Sequence, residues 1–147
     1  MGKKILYIDM DEVIADFAGA INKIDPSIDM SNSTENWQER SDKVDYICQI
    51  YPTIFEYLDV IDGAKEAITK LSEKYDIYFL STPMWSLPMS FMGKRIWLEK
   101  NFGELSNKKL ILTHRKDLAM GDILIDDTKR NGADKFRGEF IMFDKIS

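Results

Sequence analysis

The sequence lacks the features expected of a secreted, membrane-embedded or nucleic-acid-binding protein. It has a single cysteine, Cys48, in 147 residues, so no internal disulfide can form. No apolar run approaches the length of a membrane span, and the run after Lys4 breaks at Asp9, too early for a signal peptide. The net charge is −5 with no basic stripe, which argues against a nucleic-acid polymer as partner. We therefore expect a cytoplasmic protein that acts on a small molecule.

The composition is otherwise that of a globular protein. Apolar residues make up 44% of the chain and charged residues 31%. We expect Cys48 to be a small buried hydrophobe, because a catalytic thiol needs a nearby base and the single histidine, His114, is far along the chain.

Two apolar runs end in acids. The run 5–8 leads into Asp9 and Asp11, and the run 123–125 leads into Asp126 and Asp127. Acids do not belong in the core of a buried parallel strand, but they do belong at its carboxyl end, where open α/β sheets bind ligands. The two runs therefore predict one acidic site built from two strand ends.

The alternation of apolar and amphipathic stretches predicts an α/β fold. The predicted strands are residues 5–9, 77–80, 109–113, 123–126 and 140–143. The predicted helices between the later strands are residues 64–75, 91–102 and 128–136. Strands that alternate with helices favour a parallel sheet with right-handed crossovers.

The first crossover is unusually long. Residues 13–63 contain no convincing strand, and segments 17–24, 41–51 and 52–60 are predicted helices. One interpretation is a small helical lid above the carboxyl end of the sheet, where it would exclude water and select the substrate. The alternative is a helical embellishment that only packs against the sheet.

Four clustered carboxylates predict a metal ion. Bringing Asp9, Asp11, Asp126 and Asp127 together is electrostatically unfavourable without a cation. Hard oxygen ligands favour Mg²⁺, which also bridges phosphate oxygens. The alternative is that each acid only caps the helix after its strand.

The ends of two further strands carry hydroxyl groups and cations. Ser81 and Thr82, before Pro83, follow the predicted strand 77–80, and Lys116 lies shortly after the strand 109–113. Taken alone, these are an ordinary turn and a solvated charge cluster. Taken with the acids, they predict a phosphate-binding edge of the sheet.

The ordered motifs resemble those of the haloacid dehalogenase (HAD) superfamily of phosphohydrolases. That superfamily has a D-x-D motif, then a Ser or Thr, then a Lys, then paired acids, as at Asp9–Asp11, Ser81, Lys116 and Asp126–Asp127. The resemblance spans nearly the whole chain. It implies a three-layer Rossmannoid fold with a five-stranded parallel sheet in the order 3-2-1-4-5. It also implies a core domain of residues 1–14 and 62–147 with a small helical cap, residues 15–61.

Within the superfamily the sequence is most similar to the cytosolic type C 5′-nucleotidases, the 5′(3′)-deoxyribonucleotidases. Their D-M-D-G-V-x-A-D-F start matches residues 9–17, and their L-T-x-x-K and L-I-D-D motifs match residues 112–116 and 124–127. The departure is Glu12, where the family usually has glycine. Either the backbone keeps an ordinary φ at Glu12, or its carboxylate adds a fifth negative group to the site.

This resemblance implies a mechanism and a set of roles. Asp9 would be the nucleophile that forms an aspartyl-phosphate, and Asp11 the general acid and base. Mg²⁺ would be held by Asp9, the backbone carbonyl of Asp11, and Asp126, with Asp127 orienting that shell or adding a ligand. The remaining implied contacts to phosphate, sugar or base are Ser81, Thr82, Lys94, Lys116, Phe17 and Trp37. Lys94 would act either on the phosphate or by fixing Asp127.

The expected substrate is a small phosphomonoester, best matched by a (deoxy)nucleoside monophosphate. The alternatives are a phosphatase for another phosphomonoester such as a sugar phosphate, a receiver-like signalling module, or a catalytically inactive phosphate-binding protein. The methionine-rich segment 84–92 is expected to form a flexible substrate wall, buried filler or a contact in a homodimer.

Overall fold

A parallel five-stranded sheet organises residues 2–32 and 35–144, the part of the chain that the computed structural model describes. The strands are β1 Ile5–Ile8, β2 Asp76–Ser81, β3 Leu110–Leu112, β4 Ile123–Asp126 and β5 Glu139–Met142. Their order is β3-β2-β1-β4-β5, and every neighbouring pair runs parallel. The α/β class and the strand order are therefore confirmed. Each strand begins and ends within one residue of its predicted bounds.

Both faces of the sheet are covered, which explains why its strands are continuously apolar. Alternate side chains of a strand point to opposite faces. Leu6 and Ile8 of β1 belong to the larger core cluster, which contains Trp97. Tyr7 belongs to the smaller cluster on the other face and meets the ring of Phe136 edge to face, with 5.9 Å between the ring centroids. The sheet is thus the middle layer of three.

The α-helices contribute to the larger core cluster, on the face of the sheet that Leu6 and Ile8 occupy. Within the described residues the α-helices are α1 Phe17–Ile24, α2 Trp37–Ile50, α3 Ala64–Lys74 and α4 Pro88–Phe102. The side chain of Asp16 caps α1 by accepting a hydrogen bond from the backbone N–H of Gly19 at 2.9 Å. Pro88 opens α4 at a position where a helix needs no N–H donor. The segment 84–92 is consequently not one loop, because its second half is the start of α4.

Two predicted helices are wrong. Residues 52–60 form only a 3₁₀ turn, Ile54–Tyr57, after which the backbone becomes extended at Leu58. Residues 128–136 form only the 3₁₀ turn Ala133–Lys135. Asn131 and Gly132 both have positive φ, 56° and 82°, and that left-handed backbone cannot continue a right-handed helix.

The long segment between β1 and β2 leaves and returns at one place. Ala15 forms an isolated bridge with Val60, and the N–H of Ile61 donates to the carbonyl of Ile14 at 2.8 Å. A narrow neck therefore joins residues 16–59 to the sheet. The division into a core, 1–14 and 62–147, and a cap, 15–61, stays a prediction that agrees with this neck.

Helix α4 fixes the 3₁₀ turn Ile54–Tyr57 against the rest of the molecule. The indole N–H of Trp97 donates to the carbonyl of Leu58 at 2.7 Å in the buried interior. A side chain at Gly93 would place its Cβ 3.0 Å from the Cβ of Phe55, so glycine lets the two elements approach closely. This contact bears on the site described below.

Cys48 is expected to resist thiol reagents in the folded protein. Its side chain is buried in α2, and burial raises the pKa of the thiol to about 12. Near pH 8 the group stays protonated and out of reach. We expect the native protein to react with a disulfide reagent on the order of 100-fold more slowly than the denatured protein. Labelling is measured by absorbance, and rapid labelling of the native protein would contradict this packing.

Among the described residues, no helix combines the length and the apolar character that crossing a bilayer requires.

Candidate active site

Three carboxylates meet at the carboxyl edge of the sheet. Strands β1 and β4 are neighbours with Ile8 opposite Ile125, so the residues that follow them come side by side. One oxygen from each of Asp9, Asp126 and Asp127 lies within 4.8 Å of the other two. Two apolar strands that end in acids thus share one site, as the sequence predicts.

Lys116 lies between two of these acids. Its Nζ is 2.8 Å from Oδ1 of Asp9 and 2.6 Å from Oδ2 of Asp126, and all three side chains are buried. The backbone N–H of Lys116 donates to the carbonyl of Asn131 at 2.7 Å, which ties the lysine to the loop after β4. Lys116, which follows β3, therefore contacts the acids at the ends of β1 and β4.

One ammonium does not neutralise three carboxylates. Burial raises the pKa of Asp9 well above its usual range, although the charge of Lys116 acts in the opposite direction. Burial also raises the pKa of Asp127 to about 6. For Lys116, burial alone would lower the pKa, but the charges of Asp9 and Asp126 outweigh it and raise the pKa. The cluster has a surplus of negative charge that a cation would offset.

The donor set fits Mg²⁺. Asp9, Asp126 and Asp127 offer hard carboxylate oxygens at separations that one ion can span, with no sulfur or imidazole ligand in the described cluster. The side chain of Asp11 is not a member of this cluster. The ligand predicted there is its backbone carbonyl, and that role stays a prediction.

Asp11 is paired with a different lysine. The Nζ of Lys94 lies 3.0 Å from Oδ2 of Asp11, and the lysine side chain is 1% exposed. The expectation that Lys94 fixes Asp127 is therefore wrong. The turn of α4 that carries Lys94 faces the end of β1 and not the loop after β4.

Ser81 is the last residue of β2 and Thr82 follows it at the same edge, but the two differ in their partners. The hydroxyl of Thr82 donates to the carbonyl of Thr113 at 2.8 Å. The Oγ of Ser81 and the Oδ1 of Asp11 are buried and have no hydrogen-bond partner among the described residues. A hydroxyl and a carboxylate oxygen thus keep their full hydrogen-bonding capacity beside the acidic cluster.

A cavity of about 380 Å³ opens above these groups. This volume is in the range of small-molecule sites. Its lining includes most of the predicted site residues: Asp9, Asp11, Phe17, Trp37, Thr82, Lys116, Asp126 and Asp127. Ser81 and Lys94 are not in the lining and lie behind it. The ring of Phe17 stacks on that of Phe55 at 5.0 Å, whereas Trp37 is 57% exposed at the rim.

The structure adds cavity residues that the sequence did not reveal. Arg40 from α2 and Arg130 from the loop after β4 both line the cavity. The predicted start of α2 at residue 41 left Arg40 outside the helix, and Arg130 fell in the wrongly predicted helix 128–136. No periodic or motif signal distinguishes either from an ordinary surface arginine.

Glu12 adopts a left-handed backbone. Its φ is 69°, so the expectation of an ordinary φ is wrong, and the turn has the shape that glycine would provide. Its carboxylate accepts a hydrogen bond from the backbone N–H of Ala18 at 2.6 Å, near the start of α1. Glu12 also lines the cavity, where its charge contributes to raising the pKa of Asp127.

Known proteins resemble this chain over nearly its full length. The family described as 5′ nucleotidase, deoxy (Pyrimidine), cytosolic type C protein matches residues 3–147. A protein of Vibrio phage KVP40, provisionally named 5′(3′)-deoxyribonucleotidase, is 40% identical over 96% of this chain and 76% of its own length. A 5′(3′)-deoxyribonucleotidase of Bacillus subtilis strain 168 is 29% identical over 97% of this chain and 86% of its own length.

Solved structures share the fold. A haloacid dehalogenase-like hydrolase of Xanthomonas campestris superposes with a TM-score of 0.61 at 10% identity, covering 96% of this chain and 83% of that one. A provisionally assigned HAD hydrolase of Bacillus subtilis, solved with bound magnesium, gives 0.56 at 13% identity, covering 95% and 86%. At such low identity these similarities establish the architecture alone.

Proposed function

The chain belongs to the cytosolic type C 5′-nucleotidase family of HAD-like phosphohydrolases, and from this membership we propose that it hydrolyses (deoxy)nucleoside monophosphates with Mg²⁺. The observation that carries the proposal is the convergence of Asp9, Asp126, Asp127 and Lys116 on one cavity at the carboxyl edge of the sheet. Relatives with the name 5′(3′)-deoxyribonucleotidase support the nucleotide as substrate.

Asp9 is the proposed nucleophile. A carboxylate oxygen needs no deprotonating base before it attacks phosphorus, and the attack gives an aspartyl-phosphate while the bond to the leaving oxygen breaks. Lys116 donates to Oδ1 of Asp9, which holds this carboxylate in place after β1. Water then hydrolyses the aspartyl-phosphate and releases inorganic phosphate.

Asp11 is the proposed general acid and base. Lys94 occupies its Oδ2, whereas Oδ1 has no partner among the described residues. Oδ1 can therefore carry the proton that the leaving oxygen takes when the ester bond breaks. The same oxygen then accepts a proton from the water that attacks the aspartyl-phosphate.

Charge on the phosphoryl group is stabilised by fixed donors. The hydroxyl of Ser81 is the proposed donor to a phosphoryl oxygen, a role supported by its having no partner in the described part of the chain. Lys116 is held by two acids and needs little reorganisation during the reaction. Mg²⁺ bound by Asp9, Asp126 and Asp127 would add the positive charge that lets an anionic carboxylate approach an anionic phosphate.

The nucleoside would lie against the aromatic part of the cavity. Phe17 and Trp37 line its wall and rim, and flat aromatic faces bind nucleobases by stacking. We propose that residues 15–61 serve as a cap that provides these rings, while the sheet provides the chemistry.

A panel of phosphomonoesters tests the function. We expect phosphate release from deoxynucleoside monophosphates to exceed release from sugar phosphates, and EDTA to lower the rate by a factor of about 100 or more. Equal rates on nucleotides and sugar phosphates would favour a general phosphatase. Stable phosphorylation of the protein without turnover would favour a receiver-like module, and Mg²⁺ binding with no phosphate release would indicate an inactive binding protein.

A further inference from the structure

Lys94 is a buried cation that is paired with a carboxylate of the site. It is 1% exposed and is absent from the described lining of the cavity, whereas Lys116 is part of that lining. Its ammonium instead lies 3.0 Å from Oδ2 of Asp11. This pairing distinguishes Lys94 from Ser81, whose hydroxyl also lies outside the lining but has no partner in the described part of the chain. Lys94 therefore acts through Asp11 or has no part in the reaction.

The surroundings of Lys94 hold its ammonium in one position. The Nζ lies 5.0 Å from the ring centroid of Phe55, close enough for a cation–π contact. The ring of Phe55 in turn stacks on Phe17 with an angle of 4° between the ring planes. Because Trp97 and Gly93 pack α4 tightly on this turn, the lysine has little freedom to leave Asp11. The side chain is thus fixed from both sides.

We propose that Lys94 is a positioning residue that holds Asp11 by Oδ2, so that Oδ1 faces the leaving oxygen of the substrate. This inference rests on the proposed function, in which Asp11 is the general acid. When the P–O ester bond breaks, its electron pair passes to the leaving oxygen, and that oxygen takes the proton from Oδ1. A carboxyl group that could rotate would often present the wrong oxygen or point away.

The proposal predicts an effect that depends on the leaving group. A nucleoside leaves as an alkoxide and needs a proton, whereas p-nitrophenolate is a stable anion that leaves without one. Loss of a group that positions the acid should therefore slow release of the nucleoside, in the first step of the reaction, far more than release of p-nitrophenolate. Loss of a phosphate contact should slow both alike.

The test compares Lys94→Met with wild type on a deoxynucleoside monophosphate and on p-nitrophenyl phosphate. In single-turnover measurements of the first step, we expect release of the leaving group to slow on the order of 100-fold for the nucleotide and less than about 3-fold for p-nitrophenyl phosphate, with little change in inhibition by inorganic phosphate. An equal loss on both substrates, or weaker phosphate inhibition, would overturn the proposal. Wild type with no activity on nucleotides would instead refute the proposed function.

A matched control and a double variant complete the design. Lys100 lies on the same helix and contacts Tyr57 of the same turn, with its Nζ 5.2 Å from the ring centroid, so Lys100→Met removes the same charge without touching Asp11. We expect it to leave both rates unchanged. Asp11→Asn with Lys94→Met replaces the buried pair by two neutral groups and should react with the nucleotide at the rate of Asp11→Asn alone. A further tenfold loss in the double variant would show that Lys94 acts independently of Asp11.

Discussion

Asp9→Asn is expected to lower kcat on nucleoside monophosphates by a factor of about 10⁴ to 10⁶, because an amide oxygen cannot replace the attacking carboxylate. The change keeps the shape of the side chain and removes one charge from a buried cluster of three carboxylates, two of which contact the ammonium of Lys116. We therefore expect the fold to survive and the free energy of unfolding of the metal-free protein to be no lower than that of wild type. Steady-state phosphate release and chemical denaturation measure the two effects.

Asp76→Asn is the matched control for this experiment. Asp76 begins β2 at the opposite edge of the sheet and pairs with Lys109 at 2.7 Å. The same chemical change there removes a partly exposed ion pair far from the cavity, so kcat should be unchanged. If Asp9→Asn kept more than a tenth of the wild-type activity, Asp9 would not be the nucleophile.

Lys116→Met is expected to damage both stability and catalysis. The substitution leaves Asp9 and Asp126 buried without the ammonium that contacts both, and breaking a buried pair in this way costs about 3–5 kcal/mol. The loss of a fixed positive charge beside the phosphoryl group should lower kcat by about 10²- to 10³-fold. Added Mg²⁺ should recover part of the stability, because a ligand that binds only the folded protein stabilises it.

Lys109→Met provides the comparison for stability. Lys109 also pairs with an aspartate, but its side chain is 31% exposed, and a solvated pair of this kind contributes about 0–1 kcal/mol. Denaturant titrations of both variants, with and without Mg²⁺, separate the two cases. A cost below about 1 kcal/mol for Lys116→Met would mean that the carboxylates do not depend on this lysine.

The strands and their acids could be predicted because their signals are local. Continuous apolar runs mark buried parallel strands, and acids that follow such runs must leave the core at its edge. Adjacency of β1 and β4 then brings Asp9 and Asp126 together without further information. The short turns after residue 52 and residue 128 could not be predicted in the same way. The first ends where Leu58 becomes extended, and the second contains the left-handed Asn131. No apolar pattern indicates either feature.

The sequence predicts which residues belong to the site better than it predicts which of them contact each other. Lys94 and Asp11 are 83 residues apart, and their pairing depends on which turn of α4 faces the end of β1. The resemblance to the family suggested Lys94 as a site residue, but Asp127, the partner suggested with it, was wrong. The contact made by Glu12 could not be predicted either. Its side chain compensates an unfavourable backbone by capping α1, a contact that appears only when the helix start is positioned.

The neck formed by Ala15 and Val60 has a consequence for how such a protein can change over time. The two chain ends at this junction are already paired, so the entropic cost of closing a longer or shorter segment there grows only slowly with its length. Residues 16–59 are in effect an insertion, a cassette that could be exchanged as a unit, within the first crossover. Exchanging that cassette would replace Phe17 and Trp37 together while Asp9, Lys116 and Asp126 stay on the sheet.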